Sequence, residues 1–254
     1  MKRRSERVRF EGAFGDQLAA RVDLPAGEPR GMALFAHCFT CSKDLKPIVR
    51  ISRALAERGI GVVRFDFTGI GESAGDFADT NFTSNLEDLV AAAGFVRREY
   101  DGPQLLIGHS LGGAAVLAAA HRVPEARLVA TIAAPSDTGH LSETLLRKAP
   151  ELEKEGEAEV VLAGRRVRIR RQLIDDLDEQ SMSERIAALD RPLLLFHSPA
   201  DKVLDIEHAH RIFELARHPK SLVSLEGADH LLLEHREDAI FVADTLATWT
   251  RRYL

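Results

Sequence analysis

The stretch at residues 108–112 reads Gly-His-Ser-Leu-Gly, and it decides the fold of this chain. It follows a short apolar run at 103–107 and leads into an alanine-rich run at 114–120. The first run predicts a buried strand and the second a helix, so Ser110 lies at the sharp turn between them. Glycine on each side of the turn lets strand and helix pass closely. For the pentapeptide alone, a Gly-Ser-Gly loop between two ordinary elements is the alternative interpretation.

Two later strand patterns each end in a side chain that suits acid–base chemistry. Residues 191–197 predict a buried strand that runs into a turn-rich loop containing Asp201. Residues 221–225 predict another strand, followed by a loop that contains His230. A nucleophilic serine needs a base, and the base needs an acid that fixes its tautomer. We therefore predict Ser110 as nucleophile, His230 as base and Asp201 as acid.

These three residues in their settings resemble the α/β-hydrolase superfamily, in which the acid and then the histidine follow the serine along the chain. His197 also ends a strand, but it precedes Asp201, so the resemblance implies His230 as the base. Asp205 suits the cap of the next helix. Asp229 lies beside the base rather than across from it.

The loop at residues 37–43 reads His-Cys-Phe-Thr-Cys-Ser-Lys and follows a predicted strand at 32–37. It resembles the H-G-F-T-G-x-K oxyanion loop of cinnamoyl and feruloyl esterases. Residues 64–73 are similar to the D-x-x-G-x-G-x-S turn of the same group. The sharp turn at Ser110 implies one donor of the oxyanion hole, the backbone N–H of Leu111. The resemblance implies a second donor, the backbone N–H of Phe39. A closer resemblance still is to bacterial proteins that join such a hydrolase domain to a C-terminal OsmC-like domain, which implies a longer parent chain.

The chain departs from the esterase loop at two positions, where Cys38 and Cys41 replace glycines. A side chain there restricts φ and narrows the carbonyl pocket. Three interpretations stay open: cysteines that fill the loop, a redox-active C-x-x-C pair, and a metal site that includes His37. Two cysteines give no disulfide framework, which favours a reducing cytoplasm.

Composition indicates one globular domain with an insertion: 254 residues, 45% of them hydrophobic and 29% charged, with a net charge of −5. No apolar run is long enough to cross a bilayer, and the basic start of the chain lacks the apolar segment of a secretory signal. The negative charge argues against nucleic-acid binding. We expect a cytoplasmic protein that takes a small-molecule ester, with no membrane partner, cofactor or metal, and we leave homodimer formation open.

Alternating strand and helix patterns predict an α/β-hydrolase fold, with a mostly parallel central sheet and helices on both faces. A hairpin opens the chain around residues 12–16, and a capping box at 84–87 begins the helix that runs to Tyr100. The alternation breaks after residue 135. We expect residues 1–135 and 190–254 to form the core, and 136–189 to form a small lid with a helix, a hairpin and a further helix.

The predicted lid contains an arginine cluster at residues 165–171, with acidic neighbours at 151–159 and 175–179. Mutual pairing in solvent is one interpretation of these charges. Recognition of an anionic group on the substrate is the other.

The function that these patterns favour is a serine hydrolase of the carboxylesterase type, which cleaves small or aromatic carboxylic esters through an acyl-enzyme on Ser110. Thioesterases, peptidases and C–C hydrolases share the same residues on the same fold. A non-catalytic or redox-partner module that uses Cys38 and Cys41 is the alternative from another class.

Overall fold

The structure is a computed structural model, and it describes residues 4–162 and 165–254. The first three residues of the basic N-terminus and residues 163–164 of the predicted hairpin lie outside the described residues. No helix in the described ranges is both long and apolar enough to cross a membrane.

The strands and helices alternate along the chain and are numbered in chain order. The strands are β1 Arg4–Glu11, β2 Gln17–Leu24, β3 Gly31–Ala36, β4 Ile60–Phe65, β5 Leu105–His109, β6 Leu128–Ile132, β7 Glu157–Leu162, β8 Arg165–Arg170, β9 Leu193–His197 and β10 Lys220–Ser224. The helices are α1 Lys46–Glu57, α2 Phe82–Tyr100, α3 Leu111–Ala119, α4 Gly139–Lys148, α5 Leu152–Glu155, α6 Arg171–Asp178, α7 Met182–Ala187, α8 Glu207–Leu215 and α9 Arg236–Thr250.

Eight strands form one sheet in the order β1-β2-β4-β3-β5-β6-β9-β10. The strands β1 and β2 form the predicted hairpin, and β2 joins β4 in antiparallel fashion. All the later neighbours are parallel. The predicted mostly parallel sheet with helices around it is therefore confirmed. Since β3, β5, β9 and β10 run in the same direction, the loops that follow them leave the sheet at one edge.

The core has two layers, one on each face of the sheet. In β5, Leu106 packs towards α2 and α3, whereas Leu105 and Ile107 pack towards α1 and α9. This alternation follows from the two-residue period of a strand, and both faces are covered, so the central strands are apolar throughout. The covered sheet gives the loops at its carboxyl edge a rigid base.

The start of α2 differs from the prediction. The capping box lies at Asn81 and Ser84, not at 84–87: the Asn81 side chain accepts from the Ser84 N–H, and the Ser84 hydroxyl accepts from the Asn81 N–H. Ser84 is thus the third residue of the helix and not its cap. The four-residue segments 81–84 and 84–87 each contain a suitable polar pair. The helix begins at the earlier segment, and Phe82 and Leu86 then lie in the core.

The stretch at 136–189 contains α4 to α7 and an antiparallel pair, β7 and β8, outside the main sheet. Several of its arginines pair with carboxylates. Arg171 contacts Asp175 within α6, as local pairing predicts. Arg166 and Arg170 contact Glu159 and Glu157 on the neighbouring strand β7. Arg168 and Arg170 also reach across to Asp76 and Asp79 in the segment after β4. The pairing interpretation is therefore right in kind, although two of the partners come from a distant part of the chain.

Candidate active site

Ser110 lies between β5 and α3 with φ +53° and ψ −124°, a backbone conformation that is strained for a residue with a side chain. The surrounding glycines make the turn possible. A Cβ at Gly108 would lie 2.2 Å from the carbonyl oxygen of Gly112, and one at Gly112 would lie 2.4 Å from those of Ala36 and His37. The close crossing of strand, helix and oxyanion loop therefore excludes any larger residue at these two positions.

His230 follows β10 and reaches both partners that the sequence predicts. Its Nε2 lies 3.0 Å from Ser110 Oγ, and its Nδ1 lies 2.7 Å from Asp201 Oδ2. An ionised carboxylate can only accept, so Nδ1–H donates to Asp201, and Nε2 is left to accept from the serine hydroxyl. The structure thus brings the three residues together in one hydrogen-bonded row.

The Asp201 side chain is fully buried, and both of its oxygens are engaged. Oδ2 faces His230, while Oδ1 accepts from the N–H groups of Val203 and Leu204 at 2.8 and 3.0 Å. Burial alone would raise the pKa of this carboxyl. The hydrogen bonds from His230, Leu204 and Val203 outweigh burial, so the pKa of Asp201 lies below its ordinary value and the group stays ionised.

Two further buried histidines support this row. His109 Nε2–H donates to the backbone carbonyl of His230 at 2.8 Å, and the two rings lie 5.3 Å apart. Burial, followed by the nearby His230, lowers the pKa of His109 to about 3, so its ring is neutral. His197 Nε2–H donates to the carbonyl of Leu204, behind the acid loop. Burial lowers the pKa of His197 as well.

The other candidate acids and bases make different contacts, although His197 Nε2 also lies 3.6 Å from Asp201 Oδ2. His230, not His197, lies at hydrogen-bond distance from Ser110. Asp205 accepts from the Glu207 N–H at the start of α8, as a capping residue does. Asp229 accepts from three N–H groups of its own loop. Sequence reasoning missed His109, although its place at the end of β5, directly before the serine, is a signal of contact with the site.

Phe39 and Leu111, the predicted oxyanion donors, line one cleft with Ser110 and His230. Within the described part of the chain, neither backbone N–H has a hydrogen-bond acceptor. Leu111 is the first residue of α3, where an N–H has no partner inside the helix. The Leu111 N–H therefore lies at a helix N-terminus next to the serine, the kind of position where negative charge is stabilised.

The loop that holds Phe39 is fixed by a buried ammonium. Lys43 Nζ lies 2.8 Å from Asp66 and 2.6 Å from Glu72, and the Lys43 N–H also donates to Asp66. Burial lowers the pKa of Lys43, but the hydrogen bonds to Asp66 and Glu72 outweigh it, so the net pKa is raised. Asp66 and Glu72 belong to the D-x-x-G-x-G-x-S turn. That turn therefore braces the oxyanion loop through Lys43.

Cys38 and Cys41 form a disulfide. Both residues are buried, as expected of cysteines that fill the loop, and the bond between them is also compatible with the interpretation as a C-x-x-C pair. The turn at 38–41 brings their Cα atoms to 5.3 Å, within the range of a disulfide.

The cleft above Ser110 has a volume of about 140 Å³ and a mainly apolar wall. Besides the serine, the histidine and the two donors, it is lined by Pro135, His140, Leu141, Thr144, Val203 and Leu204. No arginine lies among these described lining residues. In the described residues, no group of three or more His, Cys, Asp or Glu side chains is arranged to hold a metal ion.

The chain is similar to several known proteins. The esterase domain of a Rhodothermus marinus protein is 49% identical over 98% of this chain and 99% of that one, with a TM-score of 0.80. The Butyrivibrio proteoclasticus protein Est1E, whose structure holds ferulic acid, has a TM-score of 0.81 at 20% identity, over 96% of this chain and 98% of that one. Among curated sequences, the monoacylglycerol lipase of Mycolicibacterium smegmatis is 25% identical over 96% of each chain. A family model described as the alpha/beta hydrolase family matches residues 33–243. The chain belongs to the alpha/beta hydrolase family.

Proposed function

We propose that the protein is a serine hydrolase that cleaves carboxylic esters with Ser110, His230 and Asp201. The observation that carries the proposal is the row of hydrogen bonds from Asp201 through His230 to Ser110, with distances of 2.7 and 3.0 Å. Support also comes from the Rhodothermus relative, which is described as an esterase domain, and from the mycobacterial relative, a lipase.

The proposed reaction begins when His230 Nε2 removes the proton of the Ser110 hydroxyl and Oγ attacks the ester carbonyl carbon. The carbonyl oxygen takes the negative charge and is stabilised by the N–H groups of Phe39 and Leu111, while Asp201 stabilises the imidazolium. The imidazolium then gives its proton to the departing alcohol, and the acyl group stays on Oγ. Water, deprotonated by His230, attacks the acyl carbon and releases the acid and free Ser110.

The apolar wall of the cleft suits a small aliphatic or aromatic acyl group. His140, Leu141 and Thr144 of this wall belong to α4. We therefore propose that residues 136–189 act as a lid that shapes the substrate pocket, on a core formed by 1–135 and 190–254. Replacing Leu141 by Trp then narrows the cleft and shifts the preferred acyl chain to a shorter length.

Steady-state hydrolysis tests the proposal. The substrates are p-nitrophenyl esters of increasing acyl length and methyl hydroxycinnamates, and the enzymes are the unmodified protein, Ser110→Ala and His230→Ala. A matched control is His210→Ala, since His210 is an exposed histidine on α8. We expect both site variants to lose turnover with nearly unchanged melting temperature, and the control to keep it. Unchanged turnover in either site variant contradicts the proposal.

A further inference from the structure

The Cys38–Cys41 disulfide encloses the residue that carries a proposed oxyanion donor. Phe39 and Thr40 lie between the cysteines, and the turn is closed by a hydrogen bond of 3.1 Å from the Cys41 N–H to the Cys38 carbonyl oxygen. The His37 ring donates from Nδ1 to the same carbonyl at 2.8 Å. The crosslink therefore closes the turn that carries Phe39, a residue of the cleft wall.

The turn needs a restraint because Thr40 has φ +60°. A β-branched residue rarely adopts this left-handed conformation, so the free loop favours other backbone shapes. Relaxation at Thr40 rotates the two peptide groups that flank it, 39–40 and 40–41. Through the backbone of Phe39 the movement reaches the preceding peptide group, which carries the Phe39 N–H. A disulfide across the turn limits this rotation directly, because its bond geometry fixes the distance between the two Cα atoms.

The crosslink contributes little to the stability of the whole protein. It closes a loop between residues only 3 positions apart, and a short loop removes less entropy from the unfolded chain than a long one. Its main effect is therefore local. The local group that matters is the Phe39 N–H, because an oxyanion donor is effective only when it is in place before the charge develops.

We propose that the Cys38–Cys41 disulfide is a positioning crosslink for the Phe39 donor, which makes turnover depend on the oxidation state of this pair. The inference rests on the proposed function. Reduction by a dithiol transfers two electrons and two protons to the pair: the protein S–S bond becomes two thiols, and the dithiol becomes a cyclic disulfide. Reoxidation by the cyclic disulfide of dithiothreitol in excess reverses the exchange.

The test compares oxidised and reduced protein in the hydrolysis of p-nitrophenyl acetate. Dithiothreitol is removed by desalting before the assay, since free thiols attack the ester themselves. Because both cysteines are buried, thiol titration and intact mass confirm the redox state of each sample. We expect reduction to lower kcat about tenfold with KM changed less than about twofold, a smaller loss than the 10²–10³-fold effect of removing a donor. Reoxidation restores kcat.

The control is the double variant Cys38→Ser, Cys41→Ser. Its kcat is expected to match that of the reduced protein and to stay unchanged after treatment with dithiothreitol. Equal kcat in the fully oxidised and fully reduced protein overturns the inference, even when the melting temperature shifts, because a merely structural bond moves only the latter. Two free thiols that no oxidant can join also overturn it. Failure of the proposed function is distinct from both, because a folded protein then hydrolyses no ester in either redox state.

Discussion

Replacing Asp201 by Asn tests how the buried carboxylate sets the tautomer of His230. The asparagine side chain has one acceptor oxygen and one NH₂ group, where the carboxylate has two acceptors. Val203 and Leu204 donate to Oδ1 at 2.8 and 3.0 Å, so the amide oxygen takes this side. The NH₂ group then occupies the Oδ2 position, 2.7 Å from His230 Nδ1. His230 must accept there, and its proton moves to Nε2.

A proton on Nε2 prevents His230 from accepting the proton of Ser110. We expect Asp201→Asn to lower kcat by about 10⁴, which equals about 5.4 kcal/mol of barrier, with little change in KM. The opposite amide orientation does not rescue the site, because it points the NH₂ group at two backbone donors. The size of the loss therefore follows from the two hydrogen bonds on the far side of the carboxylate.

The assay is steady-state hydrolysis of p-nitrophenyl acetate, with circular dichroism as a check on folding. Asp205→Asn is the matched control, since the Asp205 carboxylate accepts from the Glu207 N–H at the start of α8. It is expected to keep activity within about twofold. A loss of less than tenfold in a folded Asp201→Asn protein refutes the reasoning and directs attention to Asp205 or Asp229 as the acid.

Three further predictions concern the supports of the site. His109→Leu removes the donor to the His230 carbonyl. The lost hydrogen bond is worth about 1–3 kcal/mol, and we expect kcat to fall about tenfold or more. His109→Gln, whose amide can donate, recovers part of the rate, and equal kcat in the two variants contradicts a positioning role. Gly112→Ala places a Cβ 2.4 Å from two carbonyl oxygens, and we expect urea unfolding to show a free energy of unfolding lower by about 3 kcal/mol or more. In the control Gly94→Ala, the new Cβ lies near the Arg98 side chain at 3.7 Å, and the change stabilises α2 by about 0.5–1 kcal/mol. Similar free energies of unfolding for the two variants contradict the close crossing at Gly112. Lys43→Met leaves the buried Asp66 without its cation and lowers the free energy of unfolding by about 3–5 kcal/mol, and an unchanged urea midpoint contradicts the brace.

The sequence predicts the strand–serine–helix turn well because its requirements are local. The apolar strand, the small residues and the serine all lie within one short stretch around residues 103–120. The placement of Asp201 and His230 needs one more step, the rule that parallel strands bring their following loops to one edge. Both steps depend on sequence patterns that follow directly from which residues are buried.

Other contacts depend on distances in the folded chain that no sequence pattern predicts. The bond between Cys38 and Cys41 requires the turn that Thr40 makes with a positive φ, and threonine gives no sign of such a turn. Arg168 and Arg170 each reach a partner about ninety residues away, Asp76 and Asp79. His109 contacts a carbonyl that the fold brings near from another loop.

The central claim is that Ser110 is a nucleophile activated by His230, and covalent labelling with a fluorophosphonate tests it most directly. Intact mass and peptide mapping are measured on the unmodified protein, Ser110→Ala and His230→Ala. The account predicts one adduct, located on Ser110, that is absent from Ser110→Ala and forms far more slowly in His230→Ala. A folded protein that takes no label, or a label that persists in Ser110→Ala, contradicts it.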